Sequence, residues 1–349
     1  MTHLLLFLFP LLPSNHPVYA QEVNAHLDSL IRTGIHSSIL QDYAAATRIF
    51  VNLKKEMPRH PAGYFFQAAV LQTQMMDYEN YADEDHFVAL IDSAITLARQ
   101  QIKSDMGNAW TYFYMGAGHG YLSFYLAKQK KYWPALRNAR KSVKFLSKAV
   151  SLDSTLYDAY LGIGWYRYYR SKISRHFAWL PFVKNERDSG IAMIKKSMSR
   201  SRYSRTSAMN GLCWILHDED RFEEGIALAE TGLSNFPHSR VFLWCAARLS
   251  EKLQRWQDAA NYYERILASF AAENIQSPLN ELTCRKKLTH LYLKLRNQVA
   301  AKRQCEMAGR IQFEPRGQQS YKKELKQLQQ TCKTLPEASP EAASQPAIL

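Results

Sequence analysis

Strand signals are almost absent from this chain of 349 residues. Runs that alternate Val, Ile or Thr with polar residues between turn formers do not occur. That excludes sheet-built folds and the strand–loop–helix units that hold dinucleotides. Catalytic and metal signatures are missing too: there is no HExxH, no GxSxG, no Walker loop and no paired-cysteine zinc spacing. Cysteine is scarce. Cys213, Cys245, Cys284, Cys305 and Cys332 are the only five, with no CxxC among them. An odd count leaves at least one thiol unpaired even in an oxidising compartment. Four of the five fall on apolar helical faces, so buried thiols are expected. Beyond the N-terminus no apolar run approaches the roughly 20 residues of a membrane-spanning helix.

What is present begins at the N-terminus, with "LLLFLFPLL" followed by "SNHPVYA". Val18 and Ala20 sit three residues and one residue before a cleavage point, so residues 1–20 read as a secretory signal peptide. The expected mature protein is exported, periplasmic or secreted, with envelope association as the alternative. Net charge is +14 and unevenly spread: residues 126–210 hold nineteen Lys and Arg against four Asp and Glu, or +15, leaving the rest at −1. Such a segment suits an anionic partner. Lys141, Lys144, Lys148, Lys195 and Lys196 are its candidate contacts with an anionic envelope surface, lipid or glycan.

Apolar residues recur at spacings of three and four almost end to end, which predicts helix throughout. The helices repeat. "RFEEGIALAETGLSNF" (221–236) lies over "RWQDAANYYERILASF" (255–270) at an offset of 34. Arg221 then meets Arg255, Phe222 meets Trp256, Gly225 meets Ala259 and Phe236 meets Phe270. A spacing of small, aromatic, small-or-apolar and proline residues recurs at Ala46, Phe50, Leu53 and Pro58. It returns at Gly225, Ala229, Gly232 and Pro237, at Ala259, Tyr263, Ile266 and Ala271, and more weakly at Ala301, Cys305 and Ala308. In period and spacing the chain resembles the tetratricopeptide repeat (TPR) family. The resemblance implies an all-α, right-handed superhelical solenoid of about seven TPR-like helical hairpins, stacked because no hairpin buries its apolar face alone. The expected hairpins cover 24–60, 61–105, 107–153, 156–200, 203–236, 238–272 and 278–313. Around them are expected a repeat array over 21–313, an insert at 171–185, a capping helix within 314–333 and a disordered tail at 334–349.

Two glycine-rich stretches, "YFYMGAGHGY" (112–121) and "YLGIGWYRYY" (160–169), invite a nucleotide reading. Neither has the full GxGxxG, and both lie inside helical patterns with no preceding strand. Gly116 and Gly164 each follow an aromatic, Tyr112 or Tyr160, by four residues. The family resemblance implies that this position touches a neighbouring helix, so both are expected to be structural packing glycines.

Acidic clusters at 217–220 ("HDED") and 79–86 ("ENYADEDH") lack the ligand spacing of zinc or calcium sites. No metal, no cofactor and no enzymatic activity are therefore expected. The resemblance implies that first helices line a concave groove, which places Leu161, Trp165, Tyr168 and Tyr169 on its wall with Tyr121 one hairpin earlier. Arg167 and Arg170 lie alongside. Tyr121, Trp165, Arg167, Tyr168, Tyr169 and Arg170 are the candidate contacts for a protein or peptide partner, aromatic and arginine side chains being the usual anchors. Phe177, Trp179 and Phe182 make the insert too apolar for a solvated loop; it is expected to fold back over the array as a lid, the alternative being a dip into a membrane interface beside anionic headgroups. A nucleic-acid partner fits the charge but not export.

Overall fold

A computed structural model of the protein describes residues 19–174, 185–313 and 318–333. Among them are fifteen helices and no strands. Fourteen pair into seven hairpins: α1 (Tyr19–Ile39) with α2 (Tyr43–Glu56), α3 (Pro61–Tyr78) with α4 (Glu84–Lys103), α5 (Ala109–Lys128) with α6 (Tyr132–Leu152), and α7 (Asp158–Ser174) with α8 (Arg187–Arg200). Then come α9 (Arg205–Asp218) with α10 (Phe222–Asn235), α11 (Arg240–Lys252) with α12 (Trp256–Ala272), and α13 (Pro278–Lys294) with α14 (Gln298–Gly309). The last helix, α15 (Gln318–Lys333), packs on the seventh hairpin through Leu328, Tyr321 and Leu325. The fold is an all-α superhelical solenoid.

One turn design sets the hairpin angle. Five hairpins are joined by three residues, and the central one is left-handed in each: Gln41, Lys130, Asp220, Gln254 and Arg296, with φ between 55° and 67°. The residue after it donates its N–H to a carbonyl five residues back, as in Asp42 to Ser37, Lys131 to Leu126 and Arg255 to Ser250, each at 2.9 Å. This bond closes the last turn of the first helix and reverses the chain. No described glycine has positive φ. Left-handed positions fall to polar residues, and the glycines serve another purpose.

That purpose is close approach. A Cβ at Gly164 would lie 2.7 Å from the Gly190 carbonyl oxygen and 2.8 Å from Ile194. One at Gly190 would lie 2.7 Å from the Gly164 oxygen and 2.9 Å from the Tyr168 nitrogen, so α7 and α8 cross almost backbone to backbone. Gly116 is hemmed by Leu146 of α6, at 2.8 Å from its side chain and 2.9 Å from its nitrogen. Between hairpins, Asp158 does comparable work with hydrogen bonds. Its buried carboxylate accepts the N–H groups of Arg202, Tyr203 and Ser204 at 2.8–2.9 Å and caps the start of α9.

First helices of successive hairpins pack on one another, as α1 does on α3, α3 on α5, α5 on α7 and α9 on α11. Second helices are splayed apart, so the first helices form the inner layer of the coil and the second helices its outer wall. The expected groove side is thus the first-helix side.

Two expectations change. Cys213, Cys245 and Cys284 are buried free thiols, but Cys305 of α14 and Cys332 of α15 form a disulfide, because the last helix lies on α14 where the two meet. Burial pushes the Cys284 and Cys245 thiols far up, which leaves them inert. Residues 171–174 continue α7 and belong to no insert; Phe177, Trp179 and Phe182 lie outside the described residues. The first helix, α1, starts at Tyr19, ahead of the expected cleavage point after Ala20; residues 1–18 and 334–349 lie outside the description.

Gly164→Ala is expected to destabilise the protein, and Gly164→Leu more so, by about 1–3 kcal/mol, since overpacking forces backbone apart. Gly309→Ala, where an added Cβ meets nothing within 4 Å, is the control and is expected to hold or raise the melting temperature. Thiol titration of the unfolded protein checks the cysteines: three thiols before reduction and five after it are expected.

Candidate functional site

Trp165 and Tyr169 of α7 stand one helical turn apart on the inner layer, with ring centroids 5.2 Å apart. Both are partly exposed and packed on the small core between α7, α8 and α9. The Trp165 indole is fixed by α9, where Gly211 leaves room for it: a Cβ there would lie 2.6 Å from the ring. Burial, with the nearby Asp218 charge, pushes the Tyr169 hydroxyl up to about 12, so it stays a neutral donor. At the rim Lys172 bonds Asp218 at 2.6 Å. The pair is a rigid aromatic shelf with a polar edge.

The other expected contacts divide. Tyr168 has no exposed surface, and its hydroxyl donates to Glu219 at 2.8 Å. It belongs to the core, since the bare backbone of Gly190 lets its stem sit directly over α8. Tyr121 is half-buried against Phe65, 5.3 Å away, and burial raises its hydroxyl to about 12. Arg167 and Arg170 turn away from the shelf toward α8, Arg167 donating to Ser189 at 2.8 Å and Arg170 bonding Glu186.

Several carboxylates of the acidic clusters are engaged within the fold. Asp218 holds Lys172, and Glu219 holds Tyr168 and Arg187, the latter at 3.2 Å. Glu84 accepts from Tyr125 at 2.7 Å and Gln129 at 3.0 Å. Among the described residues no group of three or more His, Cys, Asp or Glu could hold a metal ion. His119 donates Nδ1–H to Asn138, whose own amide is turned to the Pro134 carbonyl, and stacks on Phe145. Burial depresses its basicity, as expected of a packed histidine.

Of the surface lysines, Lys141, Lys144 and Lys148 share the outer face of α6, and Lys195 is exposed on α8. Lys196 is engaged, its ammonium lying 4.5 Å from the centre of the Tyr160 ring.

The arrangement also contains a feature the sequence does not announce. Arg240, at the first position of α11, has no exposed side-chain surface. Its guanidinium makes two double bridges, to Asp77 through Nε and Nη2 at 2.6–3.0 Å and to Glu273 through Nη1 and Nη2 at 2.6–2.9 Å. It also lies 4.2 Å over the Phe270 ring. Tyr43 donates to Asp77 at 2.9 Å, and Tyr78 to Glu273 at 3.3 Å. Burial opposes the Arg240 charge, but the hydrogen bonds to both carboxylates outweigh it and hold the group firmly protonated. Backbone joins in: Arg240 N–H donates to Gln41, and Ser277 and Asn280 donate to the Tyr78 and Asp77 carbonyls. The first two hairpins are thereby fastened to the sixth and seventh. Farther along α1, Asp28 is held to about 2 against the pull of burial, mainly by bonds from Arg202 and Arg32, the former at 2.6 Å.

An open cavity of about 430 Å³ separates α1 from the start of α9, lined by Arg32, His36, Arg202, Tyr203, Arg205 and Phe236. Asp28 and backbone carbonyls already occupy its arginines.

No family model and no curated protein matches this sequence. Solved structures match its shape. The Cut9–Hcn1 hetero-tetramer of the APC/C aligns at a TM-score of 0.55 and 13% identity, over 91% of this chain and 53% of that one. The C-terminal part of a TPR repeat-containing protein from Cytophaga hutchinsonii aligns at 0.44 and 15% identity, over 80% and 95%. Yeast Tom70 aligns at 0.41 and 13%, over 88% and 63%. The chain has a TPR-like fold.

Arg240→Met is expected to destabilise by about 3–5 kcal/mol, since it strands the Asp77 carboxylate, whose side chain is only 6% exposed, without its cation. A double-mutant cycle with Asp77→Asn, read by urea unfolding, is expected to show coupling above about 1 kcal/mol. Scattering is expected to show a larger radius of gyration at unchanged helicity. Additive effects and an unchanged radius would show that the bridges do not hold the coil shut.

Proposed function

We propose that this protein is a tetratricopeptide-type scaffold, exported from the cell, that holds a protein or peptide partner on its inner wall and performs no catalysis. The observation that carries this reading is the Trp165–Tyr169 shelf. Two large rings stand half-exposed on an inner helix, one of them immobilised by Gly211. Rigid aromatics of this kind supply contact area with little entropy to lose, as binding hot spots do. A fold neighbour, the Cut9–Hcn1 structure, is itself a protein assembly. Two features favour export: the apolar N-terminal stretch with its cleavage pattern, and the Cys305–Cys332 disulfide, a bond that persists in oxidising compartments.

Site-specific photo-crosslinking tests the wall. A crosslinking residue at Tyr169 is expected to capture a discrete partner in the native host, and one at Gln257, exposed on the outer helix α12, is not. Trp165→Ala is expected to weaken that partner by roughly 2–4 kcal/mol. Capture at Gln257 but not at Tyr169 would move the site to the outer wall.

A further inference from the structure

The outer wall carries one surface that the inner-wall reading leaves unused. Between Lys128 and Lys148 the chain has eight basic residues and no acidic one. The segment runs through the α5–α6 turn and along most of α6. Ala135, Ser142, Leu146 and Ala149 face the core. The opposite face of the helix therefore shows Trp133, Arg137, Arg140, Lys141, Lys144 and Lys148, one stripe at helical spacing. All six are exposed. At 1.5 Å per residue the stripe is about 22 Å long. Among the described residues none of its five cations forms an ion pair, nor do Lys130 and Lys131 in the turn. Elsewhere the chain pairs its arginines and lysines freely, as at Arg202, Arg240, Arg285 and Lys287.

The end of the stripe is apolar. Trp133 is 79% exposed and Tyr132 67%, and Phe124 and Leu136 also reach solvent. Ser123 of α5 donates to the Ala135 carbonyl of α6 at 2.8 Å, joining the two helices one residue before Phe124 and Leu136. Four large apolar side chains thus crown a hairpin tip, ringed by Lys128, Lys130, Lys131 and Arg137. At 79% and 67% exposure the two rings stand in no recess, whereas a peptide anchor needs one.

We infer that the α5–α6 hairpin docks on the surface of an anionic phospholipid bilayer. Trp133 and Tyr132 enter the headgroup boundary, where amphipathic rings are most stable. Lys130, Lys131 and the α6 cations lie against lipid phosphates. Charge complementarity selects an anionic surface, and the projecting aromatics select a soft, penetrable one over a folded protein or a nucleic acid. No described helix is long and apolar enough to cross a membrane. The attachment is peripheral, and it leaves the inner wall of first helices free. Each lysine or arginine near such a surface strengthens binding several-fold, so the cluster acts collectively.

Sedimentation of the full chain with vesicles tests this. One set is phosphatidylcholine alone, the other phosphatidylcholine mixed with phosphatidylglycerol. Binding to the anionic vesicles only is expected, and it falls as salt is raised because exposed charges are screened. Tyr132→Ser with Trp133→Ser is expected to weaken binding at least tenfold, and to abolish the quenching of tryptophan emission by brominated acyl chains. Gln in place of Lys130, Lys131, Arg137, Arg140 and Lys144 is expected to weaken it over a hundredfold. All seven side chains are exposed, so melting curves should match the wild type. Three outcomes overturn the proposal. They are no binding to anionic vesicles at low salt, equal binding to neutral vesicles, and full binding by the aromatic variant. Heparin or duplex DNA bound as tightly as vesicles, without dependence on Trp133, would reassign the stripe to a polyanion.

Discussion

The Arg240 guanidinium is the fastening on which the shape of this molecule depends. A stack of hairpins is held only by contacts between neighbours, so its ends are free to move by accumulation of small angles. Here the last turn of α3, through Asp77 and Tyr78, is inserted where α11 begins, α12 ends and α13 begins. One planar cation with two carboxylates satisfies the geometry from both sides. Its burial makes the arrangement all or nothing, because a guanidinium without both partners could not stay out of water. A nearest-neighbour chain thereby acquires a contact across 163 residues of sequence. The Arg202–Asp28 pair and the Gln41–Arg240 backbone bond add to the same seam.

Closure has a cost in usable surface. Residues along the seam are committed to other parts of the chain: Tyr203, in the α8–α9 turn, packs on Phe66 and Trp110, and His36 meets Phe236. The open inner wall lies instead toward the hairpin tips, where Trp165 and Tyr169 sit with Lys172 and Asp218. The Gly164–Gly190 crossing contributes to this placement. By drawing α7 onto α8 it pulls Tyr168 into the core and leaves Tyr169, the next residue, to line the wall beside Trp165.

Much of the fold was legible in the sequence because local pattern and period agree. The offset of 34 between 221–236 and 255–270, the spacing at Ala46, Phe50 and Leu53, and the in-helix glycines all report short-range packing, which a linear pattern encodes directly. A helical wheel places Tyr168 near Trp165, and only the approach of Gly190 shows where its ring goes. Nor did any pattern link Asp77 with Arg240 and Glu273. Each is an ordinary charged residue near a helix end, and their meeting depends on the summed curvature of intervening hairpins. The Cys305–Cys332 pair was hidden for a related reason: α15 must first be placed on α14. The Tyr132–Trp133 pair was visible as "KQKKYWPALRNARK", yet the repeat pattern invites one to spend every aromatic on core or groove.

The two surfaces left over are chemically different, and the difference follows from which layer they occupy. The inner helix α7 packs on α5, α6 and α8, so an aromatic on it can be gripped on one side and present a fixed face. Trp165 is held by Gly211 in this way. The outward face of α6 has no described element packed against it, so Trp133 and the cations beside it stand free in solvent. Solvated cations and free rings suit a fluid, laterally uniform partner, and a fixed ring suits one with a defined shape. Neither surface includes the Arg240 seam. Binding at either one therefore need not open the coil, and a single closed molecule has the geometry to engage both at once.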